Sequence, residues 1–163
     1  MYIDNVQFLC FKASIDNVKN VLDRINSIKS DAEIIQLFNA DFIVSKKHII
    51  HGIYQAFLAF KRNENLANDF GVEIVLRCSA QRQISKAFDL LGLKEGNMNL
   101  YVVLINSKDY TKELSSFFNL YDDVYNPDLN RLIDAYKISA LELETFSVED
   151  IIIDRITKLT VDY

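Results

Sequence analysis

The chain has 163 residues, of which 50% are hydrophobic and 25% charged, and its formal net charge is −5. That balance excludes a disordered chain and allows one self-sufficient core, since roughly two thirds of the surface of an unfolded chain this long can be buried. No apolar run approaches the ~20 residues needed to cross a bilayer, two cysteines are too few for a disulfide framework, and an acidic chain is a poor autonomous nucleic-acid binder.

One proline and four glycines predict long regular elements with short connections. Residues 2–12 are rich in Tyr, Ile, Val and Phe and read as a strand. Ser14 then precedes Ile15, Val18, Val21, Leu22 and Ile25, an apolar stripe with helical spacing. Residues 34–38 read as a second strand, and Ser45 as an N-cap whose hydroxyl accepts from a free first-turn N–H. After it come Ile49, Ile50, Ile53, Tyr54, Phe57 and Phe60, apolar around much of the circumference, which predicts a buried central helix. The polar stretch 61–65 ends it. Residues 69–78 and 81–91 follow as two more helices, the second with Ile84, Phe88 and Leu91 on one face and Gly92 as its stop.

Residues 100–105, Leu-Tyr-Val-Val-Leu-Ile, fit the centre of a sheet. Ser107 precedes a helix holding Tyr110, Leu114, Phe117 and Phe118. Asn126-Pro127 reads as an N-cap followed by proline at the first helical position, opening a helix with Leu129, Leu132, Ile133 and Tyr136. Ser147-Val-Glu-Asp150 has the capping-box pattern and opens a last helix with Val148, Ile151, Ile152, Ile156 and Leu159 on one face. The expected class is α/β in the layered α+β sense: a small mixed sheet packed with about seven helices, in one domain over residues 1–163.

The chemistry sought leaves little trace. His48 and His51 stand three apart and could share a helix face, but a zinc site needs further ligands and none cluster nearby. No phosphate-cradling glycine loop and no nucleophile elbow occur. Glu73 lies among Val72, Ile74, Val75 and Leu76; it is either a buried carboxylate with a raised pKa or one partnered by a nearby arginine. Cys10 and Cys78 read as small buried hydrophobes. No metal or cofactor is expected. The opening Met-Tyr-Ile-Asp-Asn-Val carries an acid where a signal peptide carries positive charge, so a cytoplasmic protein is expected, with no membrane partner.

Charge is unevenly spread. Residues 45–87 hold seven bases and three acids, a net +4, against 11 bases and 20 acids elsewhere, a net −9. A local anion site is the most this allows.

Several ordered segments carry a family resemblance: Phe42-Ile-Val-Ser-Lys-Lys-His48, Gln55-Ala-Phe-Leu-Ala59, Asn65-Leu-Ala-Asn-Asp69, the run from Glu73 through Arg77, Ser79, Arg82, Gln83 and Ile84 to Ala87, Leu91-Gly92-Leu93, and Val102-Val-Leu-Ile105. Together they resemble the PRPK-binding family, the small subunit of the KEOPS tRNA-modification complex. The most telling part is an acid in an apolar helix, a small residue after it, then Arg-Gln-Ile leading into a helix that ends in Gly. The likeness is good over residues 41–105; the two ends agree in layout rather than in motif.

The resemblance implies a non-catalytic subunit. It would bind and regulate the atypical kinase, an ATPase in the complex, and help recruit tRNA by its 3′ CCA end for threonylcarbamoyladenosine formation. The basic segment suits an RNA end, because cations neutralise phosphate and planar faces stack unpaired bases. The tRNA-binding candidates are Lys47, Lys61, Arg62, Arg77, Arg82 and Lys86, with Arg82 and Lys86 as neighbours if residues 81–91 are helical. For each alone, a solvated surface charge is the plainer reading. The kinase interface candidates are Ile153 and Thr157, a small second face beside the Ile152/Ile156 stripe; the plainer reading puts Ile153 inside a wide core stripe. The competing function is a small pocket enzyme acting on a nucleotide or similar metabolite, which requires a deep cavity holding convergent carboxylates or both histidines.

Overall fold

The computed structural model describes residues 2–121 and 126–161. In chain order the elements are β1 (Val6–Ile15), α1 (Val18–Ile28), β2 (Ile34–Asn39), α2 (Lys46–Lys61), α3 (Phe70–Ser79), α4 (Ile84–Leu91), β3 (Gly96–Ile105), α5 (Thr111–Ser115), β4 (Asn119–Tyr121), α6 (Leu129–Ala135), α7 (Ala140–Leu143) and α8 (Val148–Lys158). Helices and strands intermix as the sequence predicts. β4 and α7, of three and four residues, are too short to leave a periodicity and were not expected. The backbone divides into a sheet unit (Tyr2–Ala40 and 92–121) and a helical unit (Asp41–Leu91 and 126–161).

In the sheet unit the strand order is β2-β3-β1-β4. The expected mixed sheet is corrected in one respect: every described pairing is antiparallel. β1 and β2 run the same way, but β3 lies between them, with Val6 and Ile34 both opposite Ile105. The chain leaves β2 at Asn39, opposite Leu100, and enters β3 from that same end. β3 occupies the central place predicted for it and is buried at each position from Leu100 to Ile105. One face of the sheet carries Phe11, Ala13, Ile15, Ile35, Leu37, Leu100, Val102 and Leu104, which pack with Ile25 of α1 and with Tyr110, Leu114 and Phe118 around α5. The period-two alternation of β1 and β2 is what delivers these side chains to one side.

Two ends differ from expectation. β1 runs on to Ile15, so α1 is capped by Asn17, whose side chain accepts from the Asn20 N–H at 3.0 Å, rather than opening at Ser14. Ser107 caps no helix; its hydroxyl donates to the Lys108 carbonyl, and α5 is a short turn after Tyr110.

In the helical unit the starts of α2, α3, α6, α7 and α8 are each fixed by a side chain that satisfies an orphan N–H. Ser45 caps α2, Asp69 caps α3, and Asp128, not Asn126, caps α6. Ser147 accepts from the Asp150 N–H at 3.1 Å to start α8, but the reciprocal capping box sits one helix earlier, between Ser139 and Glu142. The apolar faces of α6 and α8 meet through Leu132, Tyr136, Val148, Ile151, Ile152 and Ile156. Helices α2 and α3 come close because Gly52 lacks a side chain: a Cβ there would lie 2.2 Å from Cys78 Sγ. Both cysteines are buried and unbridged, as expected.

Candidate functional site

All eight candidate residues fall in the helical unit, where the structure puts them to three uses.

The first use is structural, and it corrects the reading of Arg77. Glu73 and Arg77 are one turn apart on α3 and almost wholly shielded, with side chains 0% and 1% exposed. Arg77 Nε donates to Glu73 Oε2 at 2.8 Å, and Glu73 Oε1 accepts from the N–H groups of Leu66 and Ala67, each at 2.7 Å. The carboxylate thus ties the α2–α3 connection to α3. Arg77 Nη1 reaches Thr160 Oγ1 at 3.2 Å, and that hydroxyl donates to Gln55 Oε1 at 3.3 Å. A buried charge must be paired and hydrogen-bonded, and Arg77 meets this through Nε and Nη1, with its side chain only 1% exposed.

Arg82 is half-buried, and its Nη2 donates to the Leu159 carbonyl at 3.0 Å. The structure therefore brings Arg77 and Arg82 together just past the C-terminal end of α8. Arg82 precedes α4, which begins at Ile84, so the expected one-turn pairing of Arg82 with Lys86 within a helix does not form. Ala80, left-handed at φ 53°, ends α3 and turns the chain before Arg82.

The second use is exposed positive charge. Lys47, Lys61, Arg62 and Lys86 are exposed. Lys47 is loosely paired to Glu149 at 3.9 Å. Lys61 and Arg62 lie at the C-terminal end of α2 and Lys47 at its N-terminal end, about 20 Å apart at 1.5 Å rise per residue. The candidate cations are thus spread along the unit and do not converge on one point.

The third use is an apolar outer face. Ile153 is half-buried and Thr157 exposed, so Ile153 lies outside the α6–α8 core. The Thr157 hydroxyl donates to the Ile153 carbonyl at 3.1 Å. His51 Nε2 lies 2.7 Å from Thr157 Oγ1, which pins the outer face of α2 to that of α8. On α2 the neighbours of His51 are Ile50 and Tyr54, exposed by 52% and 55%. The expected burial of α2 does not extend to these two apolar positions. Periodicity shows that they are apolar; it does not show whether anything covers them.

The histidines have separate environments. His48 is buried, accepts at Nδ1 from the Val44 N–H (3.2 Å) and donates from Nε2 to the Cys78 carbonyl (2.7 Å). Burial lowers its pKa to about 4, so it is neutral at pH 7. Tyr136 stands edge-on to it and donates to the Phe42 carbonyl at 2.9 Å, and burial raises its pKa. His51 is also shifted down, by partial burial and by Lys47. Among the described residues no group of three or more His, Cys, Asp or Glu is placed to hold a metal ion. A cavity of about 500 Å³ in the sheet unit is lined by Ser14, Asp16, Asn17, Asn20, Asp23, Arg24 and Phe117, among others, and contains neither histidine. Among the described residues no helix is long and apolar enough to cross a membrane.

Comparison with known proteins agrees with the family resemblance. A relative, the regulatory protein Cgi121 of Methanocaldococcus jannaschii, is 43% identical over 65 residues. That alignment covers 40% of this chain and 42% of the relative, so it spans less than half of either. The family model described as kinase binding protein CGI-121 matches residues 13–158, which takes in both the sheet unit and the helical unit. The chain belongs to the CGI-121 kinase binding protein family.

Proposed function

We propose that this chain is a non-catalytic, cytoplasmic subunit of a KEOPS-type complex, acting over residues 1–163 as one module. It docks on the atypical kinase subunit, regulates it, and helps hold the 3′ end of tRNA for threonylcarbamoyladenosine formation. The observation that carries the docking is the outer face of α2 and α8. There Ile50 and Tyr54 stand more than half exposed on the helix that carries His51, and His51 bonds to Thr157, one turn from Ile153 on α8. Ile50 and Tyr54 lie one turn apart, so their exposed side chains fall on one helix face as a paired apolar patch. Aromatic and aliphatic anchors of this kind dominate interface energies.

The test is a pull-down with the purified kinase subunit. Ile153→Glu and Tyr54→Glu keep the circular dichroism of the parent and lose the kinase. Retention of the kinase by both variants refutes the docking face.

The RNA contact falls to Lys47, Lys61, Arg62 and Lys86, with Arg82 contributing if it exchanges the Leu159 carbonyl for a phosphate. Each lost phosphate contact reduces the salt dependence of binding by about one unit of log–log slope. Lys61→Glu with Arg62→Glu is expected to weaken tRNA binding at fixed salt and leave kinase docking intact. Equal affinity of parent and double variant would remove the RNA role from this end of α2.

A further inference from the structure

We propose that the groove beside α8 receives an arginine side chain presented by the docked kinase partner. The proposal rests on the docking reading above and extends it around the same helix. A cavity of about 630 Å³ is lined by Glu142, Phe146, Asp150, Ile151, Asp154 and Lys158. Asp150, Asp154 and Thr157 follow one another at helical spacing on the exposed side of α8. A partner seated on Ile153 and Thr157 therefore meets this groove next.

Its walls are pinned. Arg155 Nη2 holds both Glu142 carboxylate oxygens, at 3.0 and 3.2 Å, while Arg155 Nη1 donates to the Tyr136 carbonyl at 2.5 Å. The Ser139–Glu142 capping box fixes the start of α7, the Phe146 N–H donates to the Glu142 carbonyl at 3.0 Å, and the Ser147 cap fixes the start of α8. Against these fixed walls Phe146 stays 57% exposed. An open aromatic face beside carboxylates is the environment that a guanidinium takes, ring below and carboxylate at the edge.

Charge complementarity selects the same occupant. Residues 140–154 contain five acids and no base. Glu142 is committed to Arg155, and Asp154 to Lys158 at 2.8 Å. The Asp150 carboxylate has no hydrogen-bond or ion-pair partner among the described residues, and it is the group left for an incoming cation.

The test titrates the full-length chain against the purified kinase subunit at low and high salt. Phe146→Ala and Asp150→Asn, both at exposed positions, each weaken binding by roughly tenfold. Asp150→Glu keeps most of the affinity, and Asp150→Asn reduces the salt dependence. Wild-type binding by Phe146→Ala and Asp150→Asn, with binding lost in Ile153→Glu, overturns the groove proposal and leaves the docking face standing. Wild-type binding by both Ile153→Glu and Tyr54→Glu overturns the two proposals together. Sedimentation showing a Phe146-dependent dimer of the chain alone also overturns it, because the groove then belongs to a second copy.

Discussion

The two units are stabilised in different ways. The sheet unit has a core of aliphatic and aromatic side chains, and its polar clips lie at the rim: Glu33 accepts from the Ser30 and Lys108 N–H groups and from the Tyr110 hydroxyl, which together hold its carboxyl down near 2. Among the described residues the sheet unit also buries Asn39, but the helical unit buries more polar groups, namely His48, Gln55, Glu73, Arg77 and Ser79. Its outer surface carries the exposed cations and the uncovered apolar face. The difference teaches that surface chemistry and interior chemistry are coupled in the helical unit. The buried pair that ties the α2–α3 connection to α3 also grips the end of α8, through Arg77 and Thr160.

The contrast breaks hardest at that pair. Arg77→Ala leaves the buried Glu73 carboxyl without its cationic partner and costs about 3–5 kcal/mol in urea denaturation. Replacing both residues with apolar ones recovers only part of this, since the N–H groups of Leu66 and Ala67 lose their acceptor. A charge reversal at Arg77 therefore reads out as unfolding, not as weakened RNA binding.

The next effect is pH. The folded pKa of His48 is about 4 against 6.5 for the free side chain. Between these values the unfolded chain binds the extra proton and the folded chain does not, so stability falls as pH drops from 6.5 to 4. The contribution from this one group is of order 3 kcal/mol over that window. His48→Gln flattens the slope; an unchanged slope in the variant would place the titration elsewhere.

The smallest of the three is steric. Gly52→Ala drives a methyl into Cys78 Sγ and costs about 1–3 kcal/mol. Adding Cys78→Ala recovers most of it, and a double-mutant cycle measures the coupling.

What the sequence disclosed follows the same division. The distribution of apolar residues located β1 by composition, β3 by a continuous run, and α2 and α8 by helical spacing. It also put Leu100–Ile105 in the middle of the sheet. The pairing of Glu73 with Arg77 was readable as one of two options, since a one-turn spacing permits it. Arg77 looked like a surface cation because arginines usually are; its burial depends on Leu66, Ala67 and Thr160, which no local pattern connects to it. The Ser139–Glu142 cap had a visible signature, Ser-x-x-Glu, that went unread beside the stronger Ser147 signal. The groove at Phe146 has no periodic signature at all, since it is built by a connection and two helix ends.

The most direct test of the central claim, that the helical unit's outer face is the working surface, is hydrogen exchange of the chain with and without the kinase subunit. The account predicts added protection in the exposed turns of α2 and α8 and no change in β1, β3 and α1. Protection confined to the sheet unit, with α2 and α8 exchanging as in the free chain, would contradict it.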